Sequence, residues 1–303
     1  MTPRVITLEN ASWKVGILPE TGASVAFGQV WNGSAWIDVM RPTDPADYGS
    51  ASKCASFIML PWCNRIRSGI LRAAGKQYQL RTSSDDNTAR HGDVRNRLFK
   101  VVKESTHAVT CAFDSRDFPD INWPFAFTAQ VRYLLDGPRF IWDLQLRNAD
   151  KRPFPAGFGH HPYFVKTSTP PTLQIPCTQQ FDLLNSLAHS APHSVDPALN
   201  FVRPRPMGDR VYDDVLTGRI PGGQTRISWD ELDVILTLDA DPVFAHWLLY
   251  APEDQPFIAL EPMTNVNDGF NLVDAGVEGS GVFILAPGEM RSGIFSMTVM
   301  LAD

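Results

Sequence analysis

One feature constrains this chain's fold more than any other: short runs of alternating apolar and polar residues, broken by turns of Asp, Gly and Pro. Successive side chains on a strand point to opposite faces, so a two-residue period marks a half-buried strand. Residues 125–135 alternate in this way, Asp136-Gly137-Pro138 makes a turn, and 140–146 return as the partner strand. The same plan recurs at 234–238 and 243–250 around Asp239-Ala240-Asp241-Pro242, and at 281–285 and 294–299 around Ala286-Pro287-Gly288-Glu289. Further strands are expected at 14–18, 24–31, 69–80 and 108–113, and extended amphipathic helices are scarce. With 24 Pro and 21 Gly punctuating the chain, the expectation is an all-β, many-stranded, sheet-on-sheet architecture.

At 303 residues the chain is long enough for one large β domain or two ordinary ones. No Pro/Ser/Gly linker or fixed-period repeat divides it, so the reading is a single domain over 1–303. The 178–210 stretch, rich in Pro, His, Ser and Asn, has weak periodicity and reads as a long loop, a candidate wall for a cleft. A hydrophobic fraction of 44% and a charged fraction of 20% are those of a soluble globular protein. The net charge of −6, with Lys and Arg scattered, argues against nucleic acid or an anionic membrane as the main partner. No apolar run approaches the ~20 residues needed to span a bilayer. The stretch Met1-Thr2-Pro3-Arg4-Val5-Ile6-Thr7 lacks the apolar core of a signal peptide. Cys54, Cys63, Cys111 and Cys177 lie far apart with no Cys-x-x-Cys spacing, which favours free thiols in a cytoplasmic chain over two disulfides.

Several segments carry chemistry. Ser56-Phe57-Ile58-Met59-Leu60-Pro61-Trp62-Cys63 delivers Asn64 and Arg65 at the end of an apolar run. Arg65 is either a hydrogen-bond fork for a ligand or an edge Arg paired with a carboxylate. Arg90-His91-Gly92-Asp93 offers an imidazole beside a glycine that permits close backbone approach; a surface histidine is the simpler alternative. In Gly159-His160-His161-Pro162-Tyr163-Phe164, strand alternation lets only one of the two histidines address a given cleft, and Pro162 holds His161 extended. Either histidine is a candidate acid/base group or a satisfied core residue. A metal site would need His91, His160 or His161, and no His-x-His or His/Cys pair at ligand spacing supports one. Asp213 and Asp214 project to opposite faces, so one can bind a ligand's hydroxyls while the other is solvated, unless they form a simple turn. The residues before Glu261 are apolar on both faces, as in a strand covered on both sides, and Glu261 stands where that strand should emerge. A carboxylate there has a raised pKa and serves as a general base near neutrality, or else pairs structurally with Arg65 or Arg67.

Taken in order, Asn64-Arg65-Ile66, His91-Gly92, His161-Pro162-Tyr163-Phe164, the Tyr212-Asp213 region and Glu261 after its apolar strand resemble the aldose 1-epimerase (galactose mutarotase) family. The resemblance implies a β-supersandwich of large antiparallel sheets that interconverts the α and β anomers of a free hexose or related aldose. By it, Glu261 takes the C1 hydroxyl proton, His161 donates a proton to the ring oxygen, and His91 supports that oxygen or a neighbouring hydroxyl. Arg65 and Asp213 resemble the groups that hold sugar hydroxyls, and Asn64 and Tyr163 belong to the same substrate-binding set. The partner implied is a small-molecule sugar, bound by a monomer or homodimer, and no metal or organic cofactor belongs to the scheme. Trp62, Tyr163 and Phe164 are candidates for the apolar face against which sugar C–H groups stack.

Three departures leave the sugar specificity open. Asp93 stands where the family commonly has a second Gly, His160 where it commonly has Asn, and Pro262-Met263-Thr264-Asn265 replaces a Gln-containing pattern. Two alternatives stand beside the leading reading. One is a hexose-6-phosphate 1-epimerase, with Arg67, Arg72, Arg95 and Arg97 as phosphate-binding candidates. The other is a non-catalytic carbohydrate-binding module on the same fold.

Overall fold

The computed structural model describes residues 3–301 and is built almost entirely of strands. Met1 and Thr2 of the N-terminal stretch, with Ala302 and Asp303, lie outside the described residues. A nine-stranded antiparallel sheet runs in the order Lys100–Glu104, Ala108–Asp114, Phe127–Asp136, Arg139–Asn148, Met290–Leu301, Val234–Ala240, Thr225–Trp229, Thr172–Gln174 and Arg205–Pro206. An eight-stranded sheet runs His193–Ser194, Cys177–Phe181, Tyr212–Arg219, His246–Ala251, Phe257–Met263, Gly159–His160 and Ile58–Met59. Its remaining strand, Tyr163–Val165, also pairs with Phe257–Met263. A four-stranded sheet (Ile6–Glu9, Trp13–Leu18, Ser24–Trp31 and Trp36–Asp38) covers one flank, and Gly269–Asp274 is the single α-helix among the described residues. Among the described residues no helix is long and apolar enough to cross a membrane.

The two large sheets share one apolar cluster that takes in residues from Ile6 to Val299. Aromatic side chains bridge the layers: Trp247 meets Phe295 at 6.2 Å between ring centres, and Phe164 meets Trp229 at 6.4 Å. Burial of such side chains stabilises the sandwich by roughly 1.5–3 kcal/mol each. All four cysteines are free and buried.

Of the three hairpins expected from alternation, one forms as read: Phe127–Asp136 pairs with Arg139–Asn148, and Asp136 stands opposite Arg139. The second is not a hairpin. Val234–Ala240 belongs to the nine-stranded sheet and His246–Ala251 to the eight-stranded one, so the chain crosses between layers at Asp241 and Pro242. Side chains take the backbone groups of this corner: Arg219 donates to the carbonyls of Ala240, Asp241 and Phe244, and Asp241 accepts from the Ile294 amide. The third also divides, since Phe283–Leu285 pairs with Phe154–Ala156 while Met290–Leu301 lies between Arg139–Asn148 and Val234–Ala240. The 69–80 run is two strands, Ile70–Ala73 and Lys76–Gln79, joined at Ala74 and Gly75 with φ of 49° and 73°. The 178–210 stretch is no bare loop either. It holds a small hairpin, Leu183–Leu184 with Leu187–Ala188, and two short edge strands.

Parity then decides which side chains meet. On Phe257–Met263, Ile258 and Leu260 enter the large inter-sheet cluster, while Ala259 and Met263 belong to a second cluster on the opposite face. Trp247 and Leu249 likewise point inward and Leu248 and Tyr250 outward; Tyr212 and Leu216 point inward and Val215 outward. Register aligns Val215, Leu248 and Glu261 in one cross-strand row, and Asp213, Tyr250, Ala259 and Tyr163 in the next.

Candidate active site

The outward face of the eight-stranded sheet carries a cavity of ≈ 200 Å³. Glu261, His161, His91, Asn64, Arg65, Tyr163 and Asp213 all line it, so the structure brings together the expected acid/base and hydroxyl-binding residues. Leu248, Tyr250, Phe57, Ser52, Arg90 and Arg95 complete the wall.

At its base Nε2 of His161 lies 3.0 Å from Oε1 of Glu261, and both residues are buried, 5% and 1% exposed. Burial pushes the Glu261 carboxyl above its ordinary range, and the neighbouring His161 offsets part of that rise. Oε2 of Glu261 and Nδ1 of His161 have no hydrogen-bond partner among the described residues. The strand carrying Glu261 does not end at this residue as expected but runs on through Pro262 to Met263. Pro262 fits there because, on the side away from Trp247, the ladder is interrupted between Gly159, opposite Met263, and Tyr163, opposite Ala259.

His161 follows the Gly159–His160 strand; its amide donates to the Phe57 carbonyl, and the Tyr163 amide donates to Ala55. This pinning, with Pro162 between, sends the His161 ring into the cavity, stacked 4.6 Å from Phe57. His160 goes to the other face of the sheet. It is buried 4.9 Å from Trp142, without a polar partner, and burial draws its pKa down to about 3. His91 has φ of 59° and its amide donates to Asn64 at 2.6 Å; its ring lies edge-on to His161 at 5.3 Å and has Nδ1 3.1 Å from Sδ of Met59. Burial, reinforced by His161, holds His91 well below the usual histidine range, so it offers a neutral ring. Gly92 is required behind it: φ is 70°, and a Cβ would stand 2.0 Å from the Leu60 carbonyl oxygen.

The polar rim is held by a further layer of contacts. Arg65 donates to Asp86 at 3.0 Å and to the Asn64 side chain at 2.8 Å, so it is both a paired edge arginine and a cavity wall. Asp213 accepts from Ser186 at 2.6 Å, while Asp214 points away and pairs with Arg210. Ser186 sits at the tip of the small hairpin in 178–210, so that segment positions a cavity residue rather than walling the cavity itself. Glu261 pairs with His161, not with Arg65 or Arg67; Arg67 instead reaches Asp268 at 2.9 Å.

Other expectations are corrected. Trp62 and Phe164 do not face the cavity: Trp62 stacks on Trp123 in the core, and Phe164 points between the sheets. Alternation places Phe57 and Tyr250 there beside Tyr163, whose ring lies under the Arg41 guanidinium at 3.7 Å. The unusual Thr264-Asn265 pair is fully buried and structural: the Phe158 amide donates to the Thr264 hydroxyl and the Cys63 amide to the Asn265 side chain. These bonds lash the strand bearing Glu261 to the segments bearing His161 and Asn64. Asp93 accepts from Arg97 at 2.6 Å and from the Asn122 amide at 2.8 Å, which closes the loop below Gly92. Of the four phosphate-binding candidates, Arg67, Arg72 and Arg97 lie outside the cavity and Arg95 lines it. Among the described residues no group of three or more His, Cys, Asp or Glu side chains is placed to hold a metal ion.

Comparison with known proteins follows the same outline. The chain is 22% identical over 306 residues to the uncharacterized protein YphB of Escherichia coli K12, covering 97% of this chain and 98% of that one. A galactose mutarotase-like protein from Clostridium acetobutylicum superposes with a TM-score of 0.87 at 15% identity, covering 99% and 96% of the two chains. An aldose epimerase homologue from C. elegans gives 0.85 at 16% identity, covering 99% and 100%. Both share the all-β fold of large antiparallel sheets described above. Residues 4–298 match the family described as aldose 1-epimerase, and the chain belongs to that family.

Proposed function

We propose that the protein is a cofactor-free aldose 1-epimerase that interconverts the α and β anomers of an aldose by Glu261/His161 acid-base catalysis. The observation that carries this reading is the buried pair itself, 3.0 Å apart at the base of a cavity lined by hydrogen-bonding side chains. Ring opening removes a proton from O1 and delivers one to O5, two oxygens bonded to the same carbon. A base and an acid in hydrogen-bond contact match that demand without a nucleophile or a redox step.

Glu261 accepts the O1 proton through Oε2 as the C1–O5 bond breaks, and His161 turns its ring proton onto O5. Rotation about C1–C2 presents the other face of the carbonyl, and the two groups exchange roles to close the ring. Neutral His91 hydrogen-bonds the ring oxygen or an adjacent hydroxyl. Asn64, Arg65 and Asp213 hold the remaining hydroxyls, and Tyr163, with Phe57 and Tyr250, offers apolar surface to the sugar C–H groups. The raised pKa of Glu261 makes it a stronger base than an exposed carboxylate, and its removal from water limits competing proton exchange.

The reading extends to a single domain acting as a monomer or homodimer in the cytoplasm, where four free buried thiols are at home. Polarimetry on freshly dissolved α-glucose and α-galactose tests the activity: catalytic amounts of protein should speed the decay of optical rotation well beyond the spontaneous rate. Sugar binding with no change in that rate would instead support a non-catalytic module.

A further inference from the structure

The cavity holds three arginines, and they are not equivalent. Arg65 and Arg90 are neutralised by the acidic turn below them: Arg65 pairs with Asp86 at 3.0 Å, and Arg90 pairs with Asp86 at 2.7 Å and Asp85 at 3.2 Å. Arg95 is half-buried against Phe57, with its guanidinium 5.7 Å from that ring, and its side chain makes no ion pair or hydrogen bond with any described residue. A partly desolvated guanidinium with five free donors is a costly group to leave without a counter-charge. Arg41, a comparably buried arginine nearby, by contrast donates to the Ser52 and Cys54 carbonyls and lies over Tyr163.

The surroundings of Arg95 point the same way. Arg90 and Arg95 also line a second, adjoining cavity of ≈ 480 Å³, whose wall includes Arg81 and Arg97 and a single carboxylate, Asp93. The other three guanidiniums there have carboxylate partners: Arg90 pairs with Asp85 and Asp86, Arg97 with Asp93 and Asp120, and Arg81 with Asp93. Arg95, which lines both spaces, has no such partner. Arg95 therefore stands between the hydroxyl-binding pocket and the adjoining cavity as the guanidinium left to take an anion.

We infer that the substrate is an aldose bearing an anionic substituent, a carboxylate or phosphate placed away from the anomeric carbon, and that Arg95 is the residue that recognises it. The inference rests on the epimerase reading above and adds the substrate class. The planar fork of Arg95 suits bidentate binding to either anion, while Glu261 and His161 work at the uncharged end of the ring.

Anomer exchange measured by NMR on D-glucose, D-glucuronate and D-glucose 6-phosphate tests it, and the two charged sugars separate a carboxylate from a phosphate. For at least one charged sugar, kcat/KM should exceed that of glucose about tenfold or more, mainly through KM. In Arg95→Gln that ratio should collapse toward one, and in Arg95→Lys much of it should survive, which shows that the Gln variant lost a charge and not its fold. A native enzyme that prefers glucose, or a preference that persists in Arg95→Gln, would overturn the assignment and leave the epimerase reading standing. Absence of anomer exchange with all three sugars would sink both.

Discussion

His160 and His161 are neighbours in the chain, yet they occupy opposite faces of the same sheet. His160 lies between the two large sheets, with Trp142 at 4.9 Å and Phe244 and Phe295 each at 5.9 Å, and burial alone draws its pKa to about 3. His161 is almost as buried but lies 3.0 Å from the Glu261 carboxylate. The difference lies in the partner: burial alone draws down the His160 imidazole, whereas His161 is buried within hydrogen-bond reach of a carboxylate, the arrangement the proposed mechanism uses. One residue of strand parity separates the two outcomes.

The largest expected effect is catalytic and one-sided. His161→Asn should lower kcat about 10²–10⁴-fold, the usual contribution of a positioned acid or base. His160→Asn should leave kcat within about threefold while costing roughly 1–3 kcal/mol of stability through the space it opens. Anomer-exchange rates alongside urea unfolding check both, and equal losses of activity in the two variants would erase the distinction between the faces.

The next effect is on acid stability. Burial lowers His160 to about 3 and His246 to about 4 from the ordinary 6.5. A histidine with a lowered folded pKa stabilises the native state fully above the unfolded value. That stability is lost as pH falls below 6.5 toward the folded value, because the unfolded chain then binds more protons. Urea midpoints should therefore drop steadily from pH 6.5 to pH 4, and His160→Leu should lessen that drop. A variant that loses stability with acid as steeply as the parent would show that His160 is not buried and neutral.

The smallest effect lies at the rim. Ser186→Ala removes the hydroxyl that donates to Asp213 at 2.6 Å and should raise KM severalfold with little change in kcat. A fall in kcat matching loss of the acid/base pair would mean that Asp213 takes part in the proton transfers.

Much of this was legible in the sequence, for identifiable reasons. Alternation marks strands because it reports which face is buried, and it reduces His160 and His161 to one candidate per face. It is blind to the partner strand. That is why residues 234–250 read as a hairpin although the chain changes sheets at Asp241 and Pro242, where side chains such as Arg219 satisfy the corner. The same blindness hid Tyr250, which reaches the cavity because register sets it beside Asp213. Trp62 and Phe164 were read as sugar-stacking surface because aromatic type alone does not separate core from cavity. Thr264 and Asn265 looked like a specificity difference, and they serve as a buried clamp between the strands that bear the site. That Asp85 and Asp86 pair with Arg65 and Arg90 while Arg95 has no carboxylate partner is a long-range fact that no local pattern carries.

The most direct measurement is a crystal structure of Glu261→Gln with an epimerisable aldose bound. The substitution keeps the side chain's shape while removing the base, so a sugar should remain in place unconverted. The account predicts O1 within about 2.6–3.2 Å of the side chain at position 261 and O5 facing a ring nitrogen of His161. A sugar ring reversed so that O1 points away from position 261, or one seated in the larger ≈ 750 Å³ groove around Thr217 and Gln224, would contradict it.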